Sequence, residues 1–600
     1  MPSTFSGLEI ALRALRSSQR AIEIVDHNTA NVNTKGYSRQ RAIMAATEPY
    51  TVPSLSREEG VGQVGTGVEV VQIHRYSSDY LNIQMRQALP RQNRWQVIEE
   101  AMKQIEVVFH EPSDTGIAAA LGRFWQAWSD VAAMPENLAA RAAVTETASS
   151  LAFSLRDADS RLRDLQADMD LQIRQTVERM NDIAVEIAAL NDPISKVEAF
   201  GQQPNDLRDR RDALLNELSQ LVDINYYENQ DGTITVDIGG HALVMGNEYS
   251  QLRVDYDSSN EMLTKVVWKD SSTPLVVHGV PLAGGMDAIT GSLVSGQLGG
   301  AFYVRDVVVV EQLAELDKVA KSLVESVNGL HATGYGLPDD STAPPTARPG
   351  AELAGLIIDP LGAVSDVLVD GSLYPPALGI GAGRYTVVTR DNAGVWEFRV
   401  LGPDEQAVAI NDVGAAGMTS DWQPLATVLG STYDTGRGFA ITFGAAPGAA
   451  GEVASFEYRN FFSGSSANDI DISAWIRSQP VNLAAAAGGD AAGDGSIALA
   501  IARLRTALVV DGESSIDDYY NSTITSLGLA AKQASAMVAN ADDLVDHMQR
   551  RIDEVSAVSL DEEMVNLIQY QKAYQGAARV MTAVDEMLDR LINGTGRVGL

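Results

Sequence analysis

From Ser6 to Ala30 apolar residues return every seven positions: Leu8, Leu15 and Ile22 form one seam, and Ala11, Ser18, Val25 and then Val32 lie three residues later, with Leu12 beside them. Arg13, Arg16, Arg20 and Glu23 fall on other faces, so the stretch predicts a narrow-seamed amphipathic helix. The same arithmetic governs Leu560 to Ile592, where Leu560, Leu567, Tyr574, Met581 and Leu588 share a seam with Tyr570, Ala577, Val584 and Leu591. One polar lapse, Glu563, interrupts it. Ser559 ahead of Asp561, Glu562 and Glu563 predicts an N-cap with an acidic first turn, and Gly594 a stop. Two such helices at opposite ends predict a chain that leaves one place and returns to it.

Between them the period changes several times. Helical spacing dominates from about 80 to 221: Trp95, Ile98, Met102, Ile105 and Phe109 make one stripe. Val144, Ala148, Leu151, Leu155, Ala158, Leu162, Leu165 and Met169 make another, which continues after a stutter through Ile173, Val177, Met180, Ala184 and Ile187. A helix over about 138–190 would run on the order of 75 Å, which suits a long bundle. Pro193 and Pro204 bracket the next turn, and Asp206 to Val222 starts another helix. Alternation of period two then takes over in Thr233–Ile238, after an Asp231-Gly232 turn, and in Leu263–Trp268. Val307, Val310, Leu313, Leu316, Val319, Leu323 and Val327 return to helical phase. Pro338 to Pro349 reads as a linker, short Gly- and Pro-separated strands come next as a β-sandwich or barrel, and helix resumes at Ser496.

The fold class expected is multidomain α+β, with paired terminal coiled-coil helices, a long helical bundle and inserted β-rich domains. Its divisions are 1–75 with 556–600, the terminal helices and connecting segment; 76–222 with 296–337 and 495–555, the bundle; 223–295, a small β domain; and 338–494, a β-rich insertion.

Composition narrows the chemistry. A net charge of -34 over 600 residues argues against nucleic acid and anionic membrane surfaces, which need a dense basic face. No stretch reaches the roughly 18 consecutive apolar residues of a membrane span, and the Arg-interrupted N-terminus lacks a signal-peptide run. With no cysteine there are no disulfides and no thiolate sites. The seven histidines lie far apart without ligand spacing, so each reads as an isolated surface or capping residue. Gly60 to Gly65 matches the dinucleotide fingerprint but is followed by a strand-like run, which fails its context. The carboxylate pairs Asp209/Asp212 and Glu562/Glu563 read as solvated helix faces. Neither a catalytic group nor a cofactor or metal site is expected, and the chain reads as a non-enzyme.

One local motif carries more. Ala30-Asn31-Val32-Asn33-Thr34-Lys35-Gly36-Tyr37-Ser38-Arg39-Gln40 is a helix exit in which Asn tolerates and Gly36 freely takes left-handed backbone angles. Together with Asn566 to Tyr574 (NLIQYQKAY) it resembles the axial proteins of the bacterial flagellum, the rod, hook and hook-associated proteins, and among these the hook–filament junction components. The resemblance is strong at both ends, moderate at 204–221, 299–306, 328–336 and 495–504, and absent from about 340 to 490. Lys35 stands where many of these proteins have proline.

The resemblance implies a structural subunit at the hook–filament junction, exported through the flagellar type III channel and located outside the cell. It implies docking on the hook protein, contact with the next hook-associated protein, self-association in a ring, and an export chaperone on the C-terminal helix. The residues expected to carry assembly are Leu8, Leu12, Leu15, Ile22 and Val25 with Leu567, Tyr570, Tyr574, Met581, Val584, Leu588 and Leu591 at the seams, and Asn31, Asn33, Gly36 and Tyr37 at the exit. The alternatives are an adhesin or glycan-binding surface at 340–490, with Trp396 and Trp422 as its candidate aromatics, and a coiled-coil scaffold unrelated to flagella.

Overall fold

The computed structural model describes residues 6–49, 65–275 apart from 259 and 261, 295–331, 334–337, the strands between 356 and 458, 461–487 and 491–590. In order, the chain forms helix α1 (Ser6–Ala30), strands β1 (Gln40–Ala46) and β2 (Val68–Arg75), and helices α2 (Asp79–Phe109), α3 (Ile117–Ala133), α4 (Leu138–Glu198) and α5 (Asn205–Leu221). Six short strands come next: β3 (Asn225–Glu228), β4 (Ile234–Ile238), β5 (His241–Met245), β6 (Glu248–Tyr249), β7 (Leu252–Tyr256) and β8 (Thr264–Trp268). Helix α6 (Gly296–Tyr303) runs through a π turn at Val304–Val308 into α7 (Val309–His331).

The β-rich stretch contains β9 (Leu356–Pro360), β10 (Gly383–Asn392), β11 (Val395–Leu401), β12 (Asn411–Asp412), β13 (Gln423–Pro424), β14 (Thr432–Asp434), β15 (Phe439–Phe443) and β16 (Val453–Tyr458). After it come β17 (Phe462–Ser463), β18 (Asp471–Ile472), α8 (Ala474–Ser478), α9 (Ser496–Arg503), α10 (Ile516–Ser556) and α11 (Leu560–Asp589).

The chain divides into two compact units. The first takes residues 1–99, 169–303 and 534–600. There Ile173, Val177, Met180 and Ile187 of α4 share one apolar core with Leu215 of α5, Val236 of β4, Val266 and Trp268 of β8, and Phe302 of α6. The sheet β3-β4-β5-β6 and the hairpin β7-β8 are antiparallel. The β3–β4 turn is held by Asp231, whose Oδ1 accepts the Thr233 N–H at 3.0 Å. Helix α4 outruns its expected end and passes through Pro193. A mid-helix proline costs about 3 kcal/mol, and here the continuing turn carries Ile194 into the core with no exposed surface.

The second unit takes residues 100–168 and 304–533. Its core is aromatic: Phe124, Trp125 and Trp128 of α3 pack with Phe461 and Phe462, the Trp128 and Phe461 rings lying 5.3 Å apart. His331 is buried against Trp128 and accepts the Ala484 N–H on Nε2 at 3.0 Å, so it is a core residue and not the surface or capping residue expected. Dispersion in sequence says nothing about burial. The π turn departs from the expected phase only locally: Val304, Val308 and Val309 face inward while Val307 is half-buried and Val310 is 43% exposed, and from Leu313 through Leu316, Val319, Leu323 and Val327 the expected stripe is buried. Strands β9 to β16 form two antiparallel four-stranded sheets, β13-β11-β10-β16 and β12-β14-β15-β9. Trp396 lies on β11. Its side chain, all of Trp422 and the stretch from Gly60 to Val64 fall outside the described residues.

Candidate assembly interface

Helices α1 and α11 pair antiparallel. At one end a Cβ placed on Gly7 would lie 3.4 Å from Val584 Cγ2; at the other, Asn28 donates to Glu563 Oε2 at 3.0 Å. Helix α1 also lies on the β1–β2 hairpin, whose pairing runs from Gln40 opposite Arg75 to Ala46 opposite Val68. Ser17 Oγ ties the two by donating to the Val68 carbonyl at 3.1 Å. With two neighbours to satisfy, α1 buries Ala11, Ser17, Ser18, Ala21, Ile24, Val25 and Asn28, four of the seven being Ala or Ser. Short side chains allow the close approach, and Ala21 and Ile24 meet Ala42, Ile73 and Tyr570 in one cluster.

The exit from α1 turns where expected. Within 31–37 only Gly36 takes a positive φ, +82°. Asn31 works through its side chain instead, donating to the His27 carbonyl at 3.0 Å and accepting from Thr34 Oγ1 at 3.1 Å. The loop then folds back on Asn28. Its Oδ1 accepts Tyr37 Oη at 2.8 Å and the Gln40 N–H at 3.0 Å, while its Nδ2 donates to the Gln40 carbonyl at 2.8 Å. Burial, then the charges of Asp206, Asp209 and Glu563, push the Tyr37 phenol well above its usual range, which keeps it a donor.

Glu563, the lapse in the seam, is 2% exposed and is the one fully buried residue among the described positions of α11. Arg39 Nε donates to its Oε1 at 2.8 Å and Arg39 Nη1 to Glu562 Oε2 at 2.6 Å. Burial works against the guanidinium, yet Glu562 and Glu563 hold the Arg39 pKa above its ordinary value. The Arg39 N–H donates to the Ser556 carbonyl at 2.9 Å, just before the Ser559 cap of α11. The solvated reading of this carboxylate pair therefore holds for Glu562 alone.

Helix α5 meets the same loop from the other side. Ser38 N–H donates to Asp209 Oδ2 at 3.0 Å and Gln40 Nε2 to Asp206 Oδ1 at 2.7 Å. Burial raises the Asp209 pKa against the pull of Ser38 and Arg75. For Asp212 burial also raises it, but Arg86 and Arg75 prevail and hold the carboxyl below the usual range. Arg86 Nη2 donates to Asp212 Oδ1 at 2.7 Å. Asp209 and Asp212 are thus paired groups, not the solvated helix face expected, because arginines from β2 and α2 converge on them.

The expected seam residues lie as follows. Leu8, Leu15 and Ile22 are half-buried, Leu12 is exposed and Val25 is buried. On α11, Leu567, Tyr570, Met581, Val584 and Leu588 are half-buried and Tyr574 is exposed; Leu591 falls outside the described residues. Asn31 and Tyr37 are half-buried, Asn33 and Gly36 exposed. Helix α11 is also apolar away from its seam, with Met564, Val565, Ile568, Val580 and Met587 all more than half exposed.

A family model described as the flagellar hook-associated protein FlgK helical domain matches residues 102–344, and one described as the flagellar basal body rod FlgEFG protein C-terminal matches 549–594. Flagellar hook-associated protein 1 of Bacillus subtilis (strain 168) is 28% identical, covering 99% of this chain and 99% of its own length. Its Escherichia coli (strain K12) counterpart is 25% identical over 97% and 98%. Over nearly its whole length the chain is similar to flagellar hook-associated protein 1. A solved structure, the flagellar hook junction protein FlgK from Burkholderia pseudomallei, aligns at 18% identity and TM-score 0.49 over 80% of this chain and 100% of that one.

The rod-type C-terminal match covers all of α11 and the end of α10. Sequence reasoning missed Asn28, Arg39 and Glu563 as a set. The available signals were the position of Arg39 inside the exit motif and a lone carboxylate at a seam position, which in a paired helix calls for a partner.

Proposed function

We propose that this chain is a structural, non-catalytic subunit of the bacterial flagellum at the hook–filament junction, exported from the cell and polymerising through α1 and α11. The observation that carries this reading is the second apolar face of α11. Helix α1 covers one side, while Met564, Val565, Ile568, Val580 and Met587 face solvent. A helix apolar on more than one side asks for more than one neighbour.

The seam and exit residues Leu8, Leu12, Leu15, Ile22, Val25, Asn31, Asn33, Gly36, Tyr37, Leu567, Tyr570, Tyr574, Met581, Val584, Leu588 and Leu591 shape that contact in this reading. The partners are further copies in a ring, the hook protein below, the next hook-associated protein above, and before export a chaperone on α11. In the four-part division, 1–75 with 556–600 assembles and 338–494 varies.

Amide hydrogen exchange on the unassembled chain and on polymer tests the reading. Residues 560–589 should exchange faster than 144–187 in the monomer and become protected on assembly. Equal protection of α11 in both states would remove the helix from the interface.

A further inference from the structure

We infer that Glu563, Arg39 and Asn28 form a register lock that selects one antiparallel alignment of α11 on α1. The inference concerns pairing within one chain and stands whatever the chain assembles into. A seam repeating every seven residues is degenerate: sliding α11 by one heptad puts Leu567 where Tyr574 stood, Tyr570 where Ala577 stood and Ala577 where Val584 stood. The described seam residues of α11 are half-buried at best, so apolar burial discriminates poorly between the native and slipped alignments.

The carboxylate discriminates sharply. Glu563 is enclosed by Asn28 at 3.0 Å and Arg39 at 2.8 Å, and both partners are tied elsewhere: Asn28 to Gln40 and Tyr37, and Arg39 through its carbonyl, which accepts the Tyr76 N–H at 2.9 Å. Neither can follow a sliding helix. A slip of seven residues is about 10 Å along the axis, which strips the carboxylate of both partners. A single buried polar group at a core seam position is a known means of specifying register.

The absence of cysteine makes the lock measurable. Gly7→Cys with Val584→Cys reports the native alignment, since a Cβ at Gly7 lies 3.4 Å from Val584 Cγ2. Gly7→Cys with Ala577→Cys reports the slipped one, beyond disulfide reach in the native alignment. Both full-length pairs are oxidised at high dilution, and intramolecular cross-links are identified by peptide mass. The native pair should exceed the slipped pair by about tenfold or more in the parent, and the ratio should fall toward one in Arg39→Met/Glu563→Leu, where both charges are gone and the seam is wholly apolar. A ratio unchanged in that background overturns the lock. Should neither pair cross-link there, the same ratio is read in Glu563→Gln, which keeps the volume and removes the charge: a fall supports the lock and no change overturns it.

Discussion

Helices α4 and α11 carry the same kind of apolar repeat and meet different fates. Along α4, Val144, Leu151, Leu155, Leu162, Ile173, Met180 and Ile187 are all completely buried. Along α11 no apolar residue among the described positions is, and the one enclosed side chain is a carboxylate. Periodicity reports which face of a helix is apolar. It does not report how many neighbours arrive to cover that face. Helix α4 has α5, α6 and strands packed on its later turns, whereas α11 has α1 on one side. The first has its apolar face enclosed; the second is left with surface to share.

The comparison breaks most readily at its deep end. Leu155→Ala should cost about 2–5 kcal/mol of stability through lost burial and the cavity left behind, while Leu567→Ala, half-exposed already, should cost about 1 kcal/mol or less. Denaturant midpoints of the two variants measure this, and equal losses would mean that α11 is as fully covered as α4.

A somewhat smaller effect belongs to the lock. Glu563→Ala leaves the Arg39 guanidinium and the Asn28 amide facing a void and should cost about 2–4 kcal/mol. Glu562→Ala removes a surface partner of the same arginine and should stay within about 0.5 kcal/mol. Chemical denaturation distinguishes them, and matching costs would place Glu563 among ordinary surface charges.

Acidification gives a smaller, signed effect. Because Arg86 and Arg75 depress the Asp212 pKa, the stabilisation from its ionised form is complete above the ordinary carboxylate value of 3.8 and is lost as pH falls through the lower folded value. Asp209 acts oppositely: its raised pKa makes stability fall as pH rises through the window above 3.8. Asp212→Asn should therefore flatten the acid-side loss in a stability series from about pH 5 to 2. An unchanged slope would move the acid sensitivity to other groups.

The smallest effect on the monomer should come from the outer face. Val565→Ser with Ile568→Ser should change monomer stability by about 0.5 kcal/mol or less, yet sharply reduce polymerisation followed by sedimentation. Normal polymerisation would take this face out of assembly.

Much of the fold was legible because its signals are local. The limits of α1, the Ser559 cap, the left-handed Gly36 and the Asp231 turn each depend on residues within a few positions. The α4 stripe was legible because one spacing repeats along most of its length. Its passage through Pro193 was not, since a proline stops a helix unless distant packing outweighs the lost hydrogen bond. The start of the α7 stripe went astray for a related reason: the widened turn at Val304–Val308 takes Val307 and Val310 off the buried face, while Leu313 to Val327 keep the expected phase.

By itself the sequence determined the helices, the exit motif and the apolar faces, because propensity, capping and periodicity act over a few residues. Tertiary structure alone decided which charges are buried. Asn28 and Glu563 meet across 535 positions, and Ser38 meets Asp209 across 171. In sequence, a carboxylate destined for solvent and one destined for an arginine look alike; the difference is created only when folding removes water and brings the partner.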